Sequence, residues 1–549
     1  MNPNNLRIAL YALAFVLTFS LWNRWEQAQQ PAIPYQPEQV IPYASASQQA
    51  NGIPHVHTNP QQTTEQSALG ANTAPIRIST DRFELWVNPQ GGELIRADLR
   101  QYPVSLKNQH PHTLLQVENP GRFLVQSGLI AADSQSIAPS PNALYQSEKT
   151  HFEMGDSETL RVPLTWKNEQ GLSITKTFVF TRGKHSFQIE QTINNQSALP
   201  WQGFPYERLV FGQARGSAGF GQVATFTGGV ISSAEDSYRK VNLDDMAKKV
   251  QVPAADGWIA MIQHYFLGAI VPHGQEKRVY FSNANEQGDH FLGVSRETTT
   301  IAPNSQHTFQ ATVYLGPKIQ KDLKALAPNL DKTVDYGVFF LISQPMFTIL
   351  SWLNKLLGNW GWSIVIMTII IKGLFFVPSA WAYKSMAKMR KLAPEMKRLQ
   401  ERFGEDRQAM SQEMMKLYKK EGVNPMSGCL PILLQIPFFL AFYWVLVESV
   451  ELRQAPWMGW VQDLAVMDPY FILPIINAAL MYFQQKLNPP PTDPMQAKIM
   501  QFLPLVFGVM FMWFPSGLVL YWTVSNAFSI AQQYVMNKRY GEKTSEKAA

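Results

Sequence analysis

The side chain best placed to do chemistry is Lys372. It stands in WGWSIVIMTIIIKGLFFVPSAWAYK (360–384), with three isoleucines before it and five apolar residues between it and Pro378. The stretch is long and apolar enough to cross a bilayer, which takes about 20 residues. A charge at that depth costs about 2.5–3.5 kcal/mol on insertion scales, so it marks a functional site. Thr368 lies one turn earlier on the same face. Polar groups recur in other apolar segments: Gln435 in one, Asn477 and Gln484 in another, and Trp522, Asn526, Ser529 and Gln533 as a stripe at helical spacing in the last. Helix–helix adhesion accounts for any one of these amides and hydroxyls. Lys372 is different. No Asp or Glu falls inside the apolar segments at the depth where a partner would be needed, and the nearest, Glu448 and Glu451, stand at a segment end. The ammonium must be solvated by water, amides and hydroxyls, which predicts a hydrated pocket.

Other chemistries find little support. All ten histidines lie between His55 and His307 without metal-ligand spacing, and His110 and His112 flank Pro111 in an apparent loop. The single cysteine, Cys429, forbids an intrachain disulfide and reads as a small buried residue. GSAGFG (216–221) matches no phosphate-binding fingerprint and reads as a turn. No metal, nucleotide or other cofactor is expected, and no specific nucleic acid. Without a histidine after His307, no Ser–His pair forms in the spans. A dyad of Lys372 with Ser363, Ser379 or Ser525 is the remaining enzymatic arrangement, and the chain is read as not an enzyme.

These residues need a membrane scaffold, and the composition supplies one. The 549 residues are 46% hydrophobic and 16% charged, against about 25% charged in soluble chains. Residues 6–22 form an apolar run with Arg7 at its start. No small-residue cleavage site follows promptly, and Ala44-Ser45-Ala46 lies too far downstream, so residues 1–25 read as an uncleaved anchor with a cytoplasmic N-terminus. Residues 26–74 are Gln-, Pro- and Ser-rich and read as a flexible linker. Alternating apolar positions at 160–166, 172–180, 187–193 and 309–315 predict short strands, with Thr181-Arg182-Gly183-Lys184 as a hairpin turn. Residues 75–325 are thus a large antiparallel sandwich outside the cytoplasm. Residues 318–330 read as a short helix leaving the sandwich, and the connecting segment 326–358 holds an amphipathic helix at 346–357 lying on the outer membrane surface.

Residues 359–537 form the helical core, with spans at about 360–383, 430–447, 468–485, 499–514 and 518–536. Residues 384–421 carry eleven Lys/Arg against six Asp/Glu, which places them in the cytoplasm. Met389, Leu392, Met396, Leu399 and Phe403, then Met410, Met414 and Leu417, recur at spacings of 3 and 4, with Gly404 as a stop and Asp406 as a cap. This predicts an antiparallel helical hairpin whose methionines either seal it or receive apolar substrate segments. The basic tail 538–549 is cytoplasmic. With the anchor there are six spans and both termini inside. Residues 470–483 and 499–514 extend only about 21 and 24 Å as helices, less than the hydrocarbon core, and would thin the bilayer. A cationic pocket in a thinned bilayer suits an incoming polypeptide. A solute or ion transporter using Lys372 as an anion site is the alternative, against which stands the lack of inverted repeats.

The layout resembles the YidC-type membrane-protein insertases of Gram-negative bacteria. The resemblance is carried by SMAKMR (385–390), VNPMSGCLPILLQIP (423–437), SVELRQAP (449–456), TDPMQAKIM (492–500) and WFPSGLVLYW (513–522). It implies a multi-pass protein of the inner membrane with a periplasmic β-supersandwich and a five-helix insertase core. It also implies a groove open to cytoplasm and lipid, with its basic residue at Lys372 and substrate contacts at Thr368 and Trp522. Gln435, Asn526 and Ser529 join the groove from the polar stripes. The hairpin, with Met389, Met396, Met410, Met414, Lys388 and Arg390, is implied to meet substrates and targeting factors. The implied partners are nascent membrane proteins, the Sec translocon, the ribosome and the lipid bilayer.

Overall fold

The computed structural model describes residues 47–48, 54–55, 74–212, 225–403, 406–422, 430–487 and 494–542. The anchor at 1–25, the stretch 216–221, Gly404 and Cys429 lie outside them.

The alternating segments form neighbouring antiparallel strands. Thr159–Lys167 pairs with Leu172–Thr181, which pairs with Ser186–Asn195, which pairs with Ser305–Pro317. Val162, Leu164, Ile174, Phe178, Phe180, Phe187, Ile189 and Ile193 point inward, as the two-residue period of a strand requires. Gly183 makes the turn at φ +76°, a conformation that glycine adopts without penalty. These strands belong to an eight-stranded sheet that faces an eleven-stranded one, and side chains from both fill a shared core. Lys176 crosses that core. Its ammonium donates to the carbonyls of Gly91 (2.7 Å) and Ser127 (2.6 Å) on the facing side. His112 is not in a loop: it lies on strand Pro111–Leu115 and stacks on Phe266 at 4.3 Å.

The β domain leads through a short helix, Gln320–Leu326, into the helical core. There α1 is Phe340–Leu357, α2 Trp360–Leu374, α3 Phe376–Phe403 and α4 Arg407–Glu421. Then come α5 Leu430–Glu448, α6 Ile472–Leu487, α7 Pro494–Met510 and α8 Ser516–Glu542. One apolar cluster runs from Val230, Trp258 and Tyr314 of the β domain through Leu323 and Leu330 to Leu350, Phe442 and Leu520 of the core. The junction is also polar. Lys318 pairs with Glu448 at 2.6 Å, the His264 ring meets the Val447 carbonyl at 3.0 Å, and Arg453 donates to the carbonyls of Pro103 and Val104.

Two expectations change. First, residues 360–383 are not one helix. α2 stops at Leu374, and α3 leaves at 64° to it. Pro378 explains the break: it has no N–H to offer the Leu374 carbonyl, and its ring clashes with that group. Lys372 is therefore in the last turn of a helix, beside the bend. Second, α1 begins before residue 346 and is less amphipathic than its Ser351, Asn354 and Lys355 suggest. Met346, Phe347, Leu350 and Leu353 are buried, while Leu341, Trp352 and Leu356 are exposed on the other side. With the preceding turn it spans Gly337–Leu357. It is the one continuous helix among the described residues long and apolar enough to cross a membrane, and the bent pair α2–α3 makes a second candidate.

Candidate functional site

Lys372 is positioned by α2. Asn359 starts that helix by accepting the Trp362 N–H at 3.0 Å, and its own amide donates to the Trp457 carbonyl at 2.9 Å. Gly361 lets the Trp457 ring lie against the helix backbone, where a Cβ would sit 2.3 Å from it. From this fixed start the helix carries Lys372 to the bend, where its side chain is 9% exposed.

The ammonium donates to Gln435 Oε1 of α5 at 3.1 Å and to Ser529 Oγ of α8 at 3.0 Å. Both acceptors are neutral, and among the described residues no carboxylate lies within ion-pair distance. The Ser529 hydroxyl donates to the Ser525 carbonyl (2.9 Å), and its oxygen accepts from Lys372. The Gln435 amide nitrogen faces Ser379 Oγ at 3.5 Å, beyond the bend. Three helices thus meet at one positive charge, solvated by an amide and a hydroxyl. A buried cation held by neutral dipoles alone keeps most of its attraction for an anion.

The remaining expected residues divide. Asn526 turns away from Lys372 and donates to Asn477 Oδ1 at 2.8 Å, tying α6 to α8. Thr368 is fully buried, and its hydroxyl bonds the Ile364 carbonyl of its own helix at 2.7 Å. Trp522 packs in an aromatic layer against Phe439 (4.8 Å) and Phe511 (4.3 Å), beside Phe442 and Tyr521. It stands seven positions before Ser529, about 10 Å along α8. Ser363 bonds the Asn359 carbonyl, and the serine that Lys372 meets is Ser529, so none of the three dyads considered is assembled.

The hairpin forms with Asp406 accepting the N–H groups of Gln408 and Ala409 at 3.0 Å. Leu392 and Met396 are buried in its seam, with Met389, Met414 and Leu417 packed against them; Met410 is half-buried and Lys388 exposed. The Arg390 side chain lies outside the described residues. Among the described residues no group of acidic, His or Cys side chains is arranged to hold a metal. Sequence reasoning missed Gln532, a buried residue one position before the expected stripe member Gln533. Its amide donates to the Phe376 carbonyl at 2.8 Å. The signal available was its spacing of three from Ser529.

The model for the 60Kd inner membrane protein family matches residues 352–543, and that for the YidC periplasmic domain matches residues 75–349. A membrane protein insertase YidC of Thioalkalivibrio sulfidiphilus is 41% identical over 550 residues, covering 97% of this chain and 98% of that protein. Another, of Methylococcus capsulatus, is 40% identical over 547 residues, covering 98% and 99%. With near-complete coverage at this identity, the chain belongs to the YidC family of membrane protein insertases.

Proposed function

We propose that the chain inserts membrane proteins into the bacterial inner membrane by presenting Lys372, in a groove open to cytoplasm and lipid, to the polar or acidic segment that must cross. The activity is non-enzymatic. One observation carries the reading: a buried ammonium whose hydrogen bonds go to neutral Gln435 and Ser529. An incoming carboxylate can replace either acceptor and gain a charge-assisted bond. The aromatic layer around Trp522 closes the outer end, while exposed Leu374, Val377 and Trp381 beside the bend offer a lateral path to lipid. Thr368, Trp522 and Asn526 are the further substrate contacts of the groove in this reading.

In this reading the protein has six spans, with the anchor at 1–25, both termini cytoplasmic and the β domain periplasmic. The basic residues at 384–421 and 538–549 support that orientation. The hairpin, with Met389, Met396, Met410, Met414, Lys388 and Arg390, receives substrates and targeting factors. The ribosome and the Sec translocon are the partners on either side of the transfer. The test replaces Lys372 by Ala, depletes the wild-type protein and follows a small membrane protein with an acidic outer segment. Insertion of that substrate falls, and neutralising the segment restores it. Unchanged insertion with a lost solute flux would favour the transporter reading.

A further inference from the structure

Two α8 residues one turn apart hold opposite sides of the bend. Ser529 accepts from Lys372, three residues before the break at Phe375, and Gln532 donates to the carbonyl of Phe376, one residue after it. Both α8 side chains are buried. Backbone bonds cross the bend from the Phe375 N–H to the Ile371 carbonyl (3.2 Å) and from the Ser379 N–H to the Phe375 carbonyl (3.0 Å). Pro378 removes a hydrogen bond that would continue the helix, and nothing in a proline break alone fixes one angle. A residue clamping the far side at a main-chain atom sets both the angle and the distance from the α3 backbone to the ammonium. The bond is part-buried, between the buried Gln532 amide and a main-chain carbonyl, and an amide left without its partner at such a site is costly.

From this we infer that Gln532 is a positioning residue: by holding the Phe376 carbonyl it fixes the α2–α3 bend and keeps the Lys372 ammonium between Gln435 and Ser529. Gln532 touches no substrate and acts through Lys372. The inference rests on the reading that Lys372 receives acidic segments. It goes further in assigning the orientation of the charge to α8, and in coupling it to α3, whose far end is the hairpin.

The coupling makes the inference testable in the full-length protein in membranes. Gln532→Leu keeps volume and removes the donor; Gln532→His keeps a donor. Each is combined with Lys372→Ala in a double-mutant cycle, and insertion of an acidic-segment substrate and of its neutralised version is measured at matched protein levels. Gln532→Leu is expected to lower insertion of the acidic substrate about threefold to tenfold, the range that one buried hydrogen bond supports. It is expected to spare the neutral substrate and to add nothing once Lys372 is Ala. Gln532→His is expected to recover much of the loss. Equal losses for both substrates, or a full further loss in the Lys372→Ala background, would overturn the inference in favour of a general packing role. If Gln532→Leu does not accumulate, Gln532→Met, which also removes the donor, carries the same cycle. If Lys372→Ala itself leaves the acidic substrate untouched, the insertion reading fails first, and the cycle separates that outcome from failure of the Gln532 assignment.

Discussion

Lys318 and Glu448 stand 130 residues apart in sequence and 2.6 Å apart in space, with both side chains almost wholly buried. Lys318 follows the last strand of the β domain, and Glu448 ends α5. The pair is therefore a charged rivet between the sandwich and the helical core. Breaking a buried pair by removing one partner leaves the other charge uncompensated and costs about 3–5 kcal/mol, whereas replacing both by apolar residues is often nearly neutral. Lys318→Met alone is expected to loosen the junction, read as faster proteolysis between the β domain and α1. Lys318→Met with Glu448→Leu is expected to restore most of the resistance. A double variant as labile as the single one would show that the charge itself is needed.

Burial pushes the His264 imidazole down to about 4, from an ordinary value near 6.5. The ring is neutral in the folded protein and bonds the Val447 carbonyl. The sign follows from linkage: between about pH 4 and pH 6.5 the unfolded chain binds a proton that the folded chain refuses. The contribution of His264 is fully present above about pH 6.5 and is lost as the pH falls toward 4. Thermal unfolding of wild type against His264→Gln is expected to give curves that converge as the pH falls through that window. A gap between the variants that stays constant from pH 7 to pH 4 would contradict it.

Trp522 fills the space between Phe439 and Phe511. Removing a large aromatic from a packed site costs about 3–5 kcal/mol, while Trp→Phe keeps much of the stacking. Trp522→Ala is expected to lower thermal stability in detergent by several degrees and to let a water-soluble thiol reagent reach a cysteine placed at position 529 from the outer side. Trp522→Phe is expected to keep position 529 protected. Reactivity equal in all three backgrounds would remove the layer from any sealing role.

Local rules made much of this legible. Asp406 is a capping residue before a helix and caps one. The alternation at 172–180 and 187–193 flanks a glycine turn and folds as such. The neutral surroundings of Lys372 followed from the absence of carboxylates in the apolar runs. What was hidden depends on partners far away in sequence. Pro378 is visible in the sequence, but hydropathy averages over it, so the bend vanished into one span. Gln532 was passed over because a stripe through Trp522 and Asn526 selects Gln533, whose amide goes to the Leu487 carbonyl instead. Thr368 shares a face with Lys372, yet its hydroxyl bonds back to its own helix.

The apolar cluster shared by the β domain and the helical core has a consequence for biogenesis. Trp258 and Tyr314 are made long before Phe442 and Leu520, which share their cluster. A ribosome that has finished the sandwich has made one with a face still uncovered, and Lys318 there has no Glu448 to meet. The β domain therefore completes its packing only once the helices that follow it in the chain have been made.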